Sequence, residues 1–175
     1  AGLRHQLKKA LGRPDTDRLI AVVYSFTAGH RLEDLKKEME ILFESRIKKK
    51  ILVAARKEIK QHQSAGRSVV LVSTTLESLA DLIARELEVD QVVCSRLETR
   101  SGYLTGAFER IVFGQEKLHQ AQAISSDLGK DYFYSDCFSD LSLLQAVGFP
   151  RVVNPDRRLK KIAVRDKWPI YYWYN

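Results

Sequence analysis

The sequence predicts an α/β fold in which a mostly parallel sheet is covered by helices. From Arg67 onward, short apolar or aromatic runs alternate with helical patterns. This alternation is typical of parallel sheets, because each return to the same edge of the sheet needs a crossover, usually a helix. Residues 1–66 differ, since their apolar residues recur at helical spacing. The chain is therefore predicted to combine a helical unit with an α/β unit.

The predicted elements follow in a regular order. In the first unit, an apolar helical stripe is formed by Leu32, Leu35, Met39, Leu42 and Phe43. Gly66 is predicted to end this unit. Strands are predicted at 68–72, 91–95, 131–134, 151–153 and 170–174, helices at 77–87, 116–128 and 140–147, and a hairpin around Gly102. The expected boundary divides the chain into 1–66 and 67–175.

Composition is that of an ordinary globular domain. The 175 residues are 45% hydrophobic and 29% charged, and such a length is enough to bury a core. No apolar run reaches the ~18 residues that a membrane span needs, and the run at 19–26 is interpreted as a buried helix segment. The two cysteines fit a reducing compartment, so we predict a cytoplasmic location. Cys94, in a strand-like run, is interpreted as a small buried hydrophobe.

The charge raises the question of anionic partners. The formal net charge is +7, and basic residues cluster at 4–18 and 46–60. The second cluster keeps a helical apolar stripe, which indicates a solvated basic helix face. No nucleic-acid motif or interleaved aromatic platform accompanies it, so nucleic acid is not an expected partner, whereas membrane association stays open. A basic rim that attracts a small phosphorylated substrate explains the same charge.

Two carboxylates directly follow the aromatic run at 132–134. Ser135 ends the run, Asp136 comes next, and Asp140 comes four residues later. A strand of an open α/β sheet that presents carboxylates at its C-terminal end can bind a hard cation such as Mg²⁺. Taken alone the pattern is weak, because two acids in a loop are also typical of exposed turns and helix caps.

Three upstream residues strengthen the metal interpretation. Ser73 and Thr74 end an earlier apolar strand, and Lys117 follows Gly114 at the start of a predicted helix. A hydroxyl, an ammonium group and a pair of carboxylates form a set that suits phosphate and Mg²⁺ together. The sequence therefore favours a phosphate-handling site that contains these side chains.

Each of these residues also has a structural interpretation. Ser73 is suited to cap the helix that begins near Leu76, and Asp140 is suited to cap the helix that follows it. Lys117 fits equally well as one solvated lysine among many. Asp136 is the hardest to explain structurally, because a carboxylate right after a buried strand needs a compensating partner. The four histidines show no paired spacing typical of a metal site.

The order of these segments resembles the haloacid dehalogenase-like superfamily, in its phosphoserine-phosphatase-like branch. The matching segments, in chain order, are 69–75, 101–106, 114–117, 135–140 and 152–156. The resemblance implies a three-layer, Rossmann-like parallel sheet with a small helical cap insertion. The cap and its connection would occupy 1–66, and the α/β core with the second to fourth motifs would occupy 67–175.

The resemblance also implies a function and a role for each site residue. The expected activity is Mg²⁺-dependent hydrolysis of a small phosphorylated metabolite through an aspartyl-phosphate intermediate. Ser73, aided by the Thr74 backbone N–H, would bind the transferring phosphoryl oxygens. Lys117 would offset negative charge, Asp136 would bind Mg²⁺, and Asp140 would hold either Lys117 or a metal-bound water.

Three residues depart from the family pattern. Thr74 and Cys137 stand where small or serine residues are usual, and Ser142 stands where a proline usually follows the last aspartate. A catalytic role for the Cys137 thiol is open, although no histidine lies nearby in sequence to activate it. None of the three departures removes a charge that the implied mechanism needs.

The family's first motif is missing, and it supplies the nucleophile. That motif is an apolar strand followed by Asp-x-Asp-x-Thr, whereas the one Asp-x-Asp here, at 15–17, follows Pro14 and is interpreted as a turn and helix cap. We therefore expect the sequence to be a piece of a longer protein or a homologue without the motif. Without the motif's central strand, two inner strand edges would lack partners.

Two other functions remain open at this stage. The first is a catalytically inactive domain that binds a phosphate ligand or regulates another protein, and it is favoured by the missing nucleophile. The second is a protein that binds an anionic surface or nucleic acid, and it would show steep salt dependence of binding.

Overall fold

A computed structural model describes residues 25–174 of the chain. Within that range, helices and strands alternate after residue 66 as the sequence predicts. The predicted helix segment at 19–26 lies almost entirely outside the described residues, and so does the Asp-x-Asp at 15–17.

The N-terminal described part is helical. Helix α1 (Leu32–Leu42) continues through a π-helical turn (Phe43–Ile47) and a 3₁₀ turn (Lys48–Lys50), and α2 (Val53–Ser64) follows. Gly66, with φ of +74°, comes directly after the end of α2 as predicted. The predicted apolar stripe of α1 is half-buried, and only Phe43 in it is fully buried. The helical unit therefore rests on the rest of the molecule through one face.

Among residues 25–174, six strands form two three-stranded sheets. In the first sheet, β1 (Val70–Leu76) pairs in parallel with β2 (Gln91–Arg100), which pairs in antiparallel fashion with β3 (Tyr103–Arg110). The second sheet is all parallel, with the strand order β4 (Tyr132–Ser135), β5 (Phe149–Val153) and β6 (Ile170–Tyr171). The predicted α/β class is thus confirmed.

Four helices connect or follow these strands: α3 (Glu77–Leu87), α4 (Gln115–Ile124), α5 (Leu141–Ala146) and α6 (Arg157–Arg165). Several bounds differ from the prediction. Strand β2 runs well past residue 95, because β3 pairs with it beyond the end of β1. Helix α4 stops at Ile124, since Ser125 is extended, and the last strand is limited to 170–171.

The predicted hairpin around Gly102 joins β2 to β3. Its two turn residues, Ser101 and Gly102, have φ values of +51° and +83°. Positive φ at both positions is the signature of the tight turn whose twist matches that of paired strands. The hairpin also receives the segment before α1, because the Leu104 N–H donates to the His30 carbonyl at 2.9 Å. It thereby ties the helical unit to the first sheet.

Strands β1 and β4 are terminal strands of their sheets. Within residues 25–174, each pairs on one edge only, β1 with β2 and β4 with β5. Helix α4 links the two sheets. It contacts β1 of the first sheet and also α5, which in turn contacts β4 of the second sheet. Two inner edges without partners are what the sequence predicts for a sheet that lacks its central strand.

The core consists of separate apolar clusters that follow this division. One cluster lies at the second sheet and contains Leu144, Val152, Leu159 and Ala163. Another joins the helical unit to the first sheet, with Leu32 and Leu35 of α1 packed on the buried residues Leu76, Leu97 and Leu104. No helix within the described range is both long and apolar enough to cross a membrane.

Candidate active site

The loop after β4 carries the two carboxylates predicted from the sequence. Strand β4 ends at Ser135, Asp136 follows at once, and a 3₁₀ turn (Phe138–Asp140) leads into α5. The Cys137 N–H donates to the Ser135 hydroxyl at 3.1 Å and thereby fixes the start of this turn. The local structure therefore places Asp136 at the strand tip and turns Asp140 back into the protein.

Asp140 is the centre of a buried polar cluster. Its Oδ1 lies 2.8 Å from the Lys117 Nζ, and the exposed fractions of the two side chains are 7% and 9%. Its Oδ2 accepts hydrogen bonds from the Lys117 Nζ at 3.0 Å and from the Ser135 hydroxyl at 2.7 Å. Both oxygens of the carboxylate are therefore satisfied, which is the condition for keeping charges buried.

This cluster decides between the two interpretations of Asp140 and Lys117. Asp140 occupies the residue before α5, yet its side chain makes no capping hydrogen bond there. Lys117 is buried in the first turns of α4 rather than solvated. The structural alternatives, a helix cap and a surface lysine, are both wrong. Of the two roles that the resemblance implies for Asp140, the geometry matches the one in which it holds Lys117.

Asp136 differs from Asp140 in both exposure and partners. Its side chain is exposed, and it has no hydrogen-bond or ion-pair partner among residues 25–174. Its backbone carbonyl accepts from the Asp156 N–H at 2.8 Å, which holds the strand tip in place. A free carboxylate on a fixed backbone is available as a metal ligand. In the part of the chain that is described, however, no three potential ligands come close enough to form a metal site by themselves.

Ser73 and Thr74 lie at an irregularity in β1. Val72 pairs with Val93 and Leu76 pairs with Ser95, so that three residues of β1 lie opposite a single residue of β2. Such bulges re-aim side chains and free backbone groups, often next to active sites. The Ser73 hydroxyl accepts from the Thr75 N–H at 3.1 Å. It does not cap α3, because no side chain caps that helix, so this structural alternative is wrong.

Comparison with known proteins identifies the family. The model of the haloacid dehalogenase-like hydrolases matches residues 2–145. The chain belongs to the haloacid dehalogenase-like hydrolase family. The predicted superfamily is thereby confirmed. The buried Lys117–Asp140 pair and the free carboxylate of Asp136 are thus features of a member of this family.

Curated relatives in this family have several names. The chain is 31% identical over 159 residues to an inhibition of morphological differentiation protein of Streptomyces azureus, covering 88% of the chain and 57% of the relative. It is 35% identical over 116 residues to a probable phosphatase of Mycobacterium tuberculosis, covering 64% and 40%. A phosphoserine phosphatase of the same species is 29% identical over 151 residues, covering 83% and 49%. The chain thus spans about half the length of the curated relatives it matches.

A solved structure supports the fold at similar coverage. A protein of unknown function from Bordetella pertussis Tohama I superimposes with a TM-score of 0.78 at 28% identity, over 86% of this chain and 71% of that one. The α/β architecture of the described residues is therefore also found in a solved protein of similar sequence.

Asp156 belongs to the same site but was not singled out from the sequence. Its Oδ2 accepts from the Phe138 N–H at 2.7 Å, and its Oδ1 accepts from the N–H groups of Arg158 and Leu159. Partial burial works to raise its pKa, but the three N–H donors outweigh this effect, so the pKa is lowered. An Asp after Pro155 and before a helical run is a recognisable cap signal. The sequence does not show that this cap also holds the loop that carries Asp136 and Asp140.

A second polar network lies beside β4, between this strand and α2. The Tyr134 hydroxyl donates to the Glu58 carboxylate at 2.9 Å and lies 2.9 Å from the His62 Nε2. Burial, followed by the charge of Arg67, lowers the pKa of His62. These contacts join residues more than 70 positions apart in sequence, so no local pattern could have predicted them.

The two cysteines occupy different environments. Cys94 is buried in β2, as predicted, and burial raises its pKa to about 11, so it remains a neutral thiol at physiological pH. Cys137 is exposed in the loop beside Asp136, and its sulfur accepts a hydrogen bond from the Ser139 hydroxyl at 3.1 Å. Cys137 therefore acts within the loop as a hydrogen-bond acceptor for Ser139.

Proposed function

We propose that this protein is a Mg²⁺-dependent phosphomonoester hydrolase that acts on a small phosphorylated metabolite through an aspartyl-phosphate intermediate. One observation carries the proposal: the buried Lys117–Asp140 pair lies directly behind a strand tip that presents the free carboxylate of Asp136. Family membership and a relative named as a probable phosphatase support it.

Lys117 supplies positive charge in this proposal. Phosphoryl transfer requires mainly positioning and neutralisation of charge on the phosphoryl oxygens, which a fixed ammonium group provides. Asp140, which also accepts a hydrogen bond from the Ser135 hydroxyl, holds this ammonium group in a buried position at the start of α4. A preorganised charge needs little rearrangement when the reaction occurs, so Asp140 acts as a positioning residue for Lys117.

Asp136 is the residue that would bind Mg²⁺. When bound, the ion would neutralise charge on the phosphate and orient it. Carboxylate oxygens are suitable ligands for this cation, and Mg²⁺ usually keeps several waters, so one or two protein carboxylates are enough. Because Asp140 already binds Lys117 and Ser135, the metal role in this proposal falls to Asp136.

Ser73 and Thr74 would bind the non-reacting phosphoryl oxygens. They lie in the bulge of β1, the strand that α4 contacts. The Ser73 hydroxyl already accepts one N–H and keeps its own proton available for donation to a phosphate oxygen. The proposed substrate site thus lies between the bulge of β1 and the helix that carries Lys117.

The proposed nucleophile is an aspartate at the end of an apolar strand, in the manner of the family's first motif. Within the described residues, β1 and β4 have open inner edges between which a parallel strand can pair. A strand there would bring its C-terminal residues to the edge of the sheet at which Asp136 lies. The cytoplasmic location predicted from the cysteines also belongs to this proposal.

A second candidate function is binding of a phosphate ligand without turnover. It is favoured because residues 25–174 contain no strand that ends in the family's Asp-x-Asp motif. In that case Lys117 and Ser73 would bind phosphate, and the protein would act through its partners.

The test begins with the natural protein isolated from its source. Intact mass and N-terminal sequencing would establish its full chain, and hydrolysis of p-nitrophenyl phosphate would be followed with and without Mg²⁺. We expect a chain with an upstream Asp-x-Asp and Mg²⁺-dependent turnover. Asp136→Asn should abolish this turnover, whereas Asp131→Asn, which neutralises a carboxylate just before the same strand, should leave it intact.

The opposite result would separate the two candidates. A natural chain that begins at Ala1 and shows no turnover would contradict the hydrolase. Calorimetric titration with inorganic phosphate would then show whether the phosphate-binding function holds, and Lys117→Met should weaken that binding. If phosphate did not bind either, both functions would be excluded.

A further inference from the structure

Helix α6 has two very different faces. Leu159 and Ala163 are completely buried against the second sheet. At 100° per residue, the opposite face is centred on Arg157, Lys161 and Val164, which are all exposed. One face of this helix therefore anchors it to the core, and the other presents basic groups to the solvent.

The basic residues of this region are almost all without acidic partners. Arg165 pairs with Asp166 at 2.6 Å. The other exposed cations have no ion pair with a carboxylate among residues 25–174; they are Arg157, Arg158, Lys160, Lys161 and Lys167. Asp156, which caps the helix, attracts Arg158 without forming an ion pair with it. The charges of Arg157, Lys160, Lys161 and Lys167 are not neutralised by an ion pair within residues 25–174.

This arrangement is unfavourable for an isolated helix. Arg157 and Arg158 lie in the first turn, where the helix dipole already places positive charge. Lys161 lies four residues from both Arg157 and Arg165, and like charges at this spacing repel each other. A sequence that breaks local rules in this way usually does so for a function. An anionic partner would attract each of these cations and so offset the repulsion between them.

Apolar and aromatic groups accompany the charges. Val164, in the middle of the basic face, is 64% exposed, and Tyr174 is 76% exposed. The Lys160 ammonium lies 5.4 Å from the ring centroid of Tyr172, which connects the aromatic C-terminal segment to the helix. Tyrosines next to lysines and arginines are typical of surfaces at a membrane–water interface.

We propose that this surface, formed by Arg157, Lys160, Lys161, Val164, Tyr172 and Tyr174, docks the protein onto an anionic lipid bilayer. We call it the α6 surface. A bilayer accounts for the exposed valine as well as the cations, because an apolar side chain can enter the interface while its basic neighbours bind the headgroups. Nucleic acid would use the cations but gives no role to Val164. This inference does not depend on the proposed hydrolase activity.

The test is co-sedimentation of the 175-residue chain with vesicles of phosphatidylcholine alone or mixed with phosphatidylglycerol. We expect binding to the anionic vesicles only, with an affinity that falls as salt rises. Arg157→Glu/Lys161→Glu should weaken binding at least about 25-fold, since each lost basic residue contributes roughly a factor of five and the two new carboxylates are repelled by the anionic surface.

A control with the same change in net charge is available elsewhere in the chain. Lys49→Glu/Lys50→Glu removes two exposed lysines that lie in the 3₁₀ turn before α2, and it should retain most of the affinity. Placing acids in the first turns of α6 favours the helix dipole, so the Arg157→Glu/Lys161→Glu protein should remain folded with an unchanged or higher Tm. Loss of binding in that protein would then not result from unfolding.

The apolar contribution is tested separately. Val164→Ser/Tyr174→Ser keeps all the charges and should weaken the binding that persists at high salt, where electrostatic attraction is screened. Equal losses in the two charge variants would overturn the proposal, as would absence of binding to anionic vesicles. Binding to RNA or DNA oligonucleotides without vesicle binding would assign the surface to nucleic acid instead.

Discussion

At the scale of single residues, the environment of a charged side chain carries more information than its identity. Lys117 and Asp140 form a buried pair, whereas Lys36 and Glu33 form a pair at a similar distance of 3.2 Å on the surface. Removing one partner of a buried pair leaves an uncompensated charge in the interior. An exposed pair is largely solvated, so its loss has little effect.

This contrast gives a prediction for stability. Lys117→Met and Asp140→Asn should each lower the free energy of unfolding by about 3–5 kcal/mol. The double variant should lose less than the sum, with a coupling energy of about 0.5–3 kcal/mol, because neither charge then remains unpaired. Urea unfolding of the four proteins measures this cycle.

The surface pair is the control for that cycle. Glu33→Gln and Lys36→Met should each change the free energy of unfolding by less than about 1 kcal/mol. The contrary result would be that Lys117→Met and Asp140→Asn each change the free energy of unfolding by less than about 1 kcal/mol, or that their effects simply add in the double variant. Either result would mean that the two side chains do not form a buried pair.

Asp156 gives a prediction for pH. Its pKa in the folded protein lies below the ordinary value of 3.8, because backbone N–H groups bind the charged form. Its contribution to stability is therefore fully present above the unfolded pKa and is lost as the pH falls through the folded pKa. Asp156→Asn should be less stable than the unmodified protein at pH 7, and this difference should shrink as the pH falls below 3.8 and through the lowered pKa of the folded protein.

Thermal unfolding of the two proteins from pH 7 downward would show the effect. A difference that stays constant with pH would mean that the charge of Asp156 is not responsible. Asn is a good helix cap, so this substitution isolates the charge from the cap.

At the scale of elements, close backbone approach explains a glycine that the sequence leaves unexplained. Gly148, between α5 and β5, donates its N–H to the Leu128 carbonyl at 2.9 Å. A Cβ built on it would overlap the Gly129 carbonyl. The 3₁₀ turn before β4 and the start of β5 can therefore lie side by side only because residue 148 has no side chain.

Gly148→Ala should accordingly destabilise the protein, since backbone must move to accept the methyl group. We expect a loss of at least about 1–3 kcal/mol in the free energy of unfolding. The control is Gly66→Ala, where no atom lies within 4 Å of the new Cβ and the cost is limited to the left-handed backbone. A Gly148→Ala protein as stable as the Gly66→Ala protein would contradict the close approach.

At the scale of the whole molecule, the strands within each sheet should differ in how well their backbone N–H groups are protected from hydrogen exchange. Strands β2 and β5 each pair on both edges, whereas β1 and β4 each pair on one edge within residues 25–174. An unpaired edge leaves backbone N–H groups accessible to water. As edge strands, β1 and β4 are therefore held by fewer backbone hydrogen bonds than the central strands β2 and β5.

Hydrogen exchange of the 175-residue chain tests this arrangement. Amides of β1 and β4 should exchange faster than those of β2 and β5, because fewer of them are held in a ladder. Mass spectrometry of peptides covering the four strands measures the difference. Equal protection would show that another segment, from this chain or a second copy, pairs with the inner edges.

Much of the fold could be predicted because the signals that specify it are local. The alternation of strands and helices, the turn at Gly102 and the end of the helical unit at Gly66 depend on residues close in sequence. The bounds of β2 and of the last strand could not be predicted in this way, since they depend on whether a distant strand is available for pairing.

The sequence by itself determined the family pattern and the residue types of the candidate site, because motif order and spacing are properties of the chain. Only the tertiary structure decided what those residues do. It buried Lys117 against Asp140, left Asp136 free and exposed, and connected Asp156 to the loop after β4. Burial and hydrogen bonding depend on contacts between residues far apart in sequence, and those contacts determine whether a carboxylate caps a helix, holds a lysine or is available to a metal.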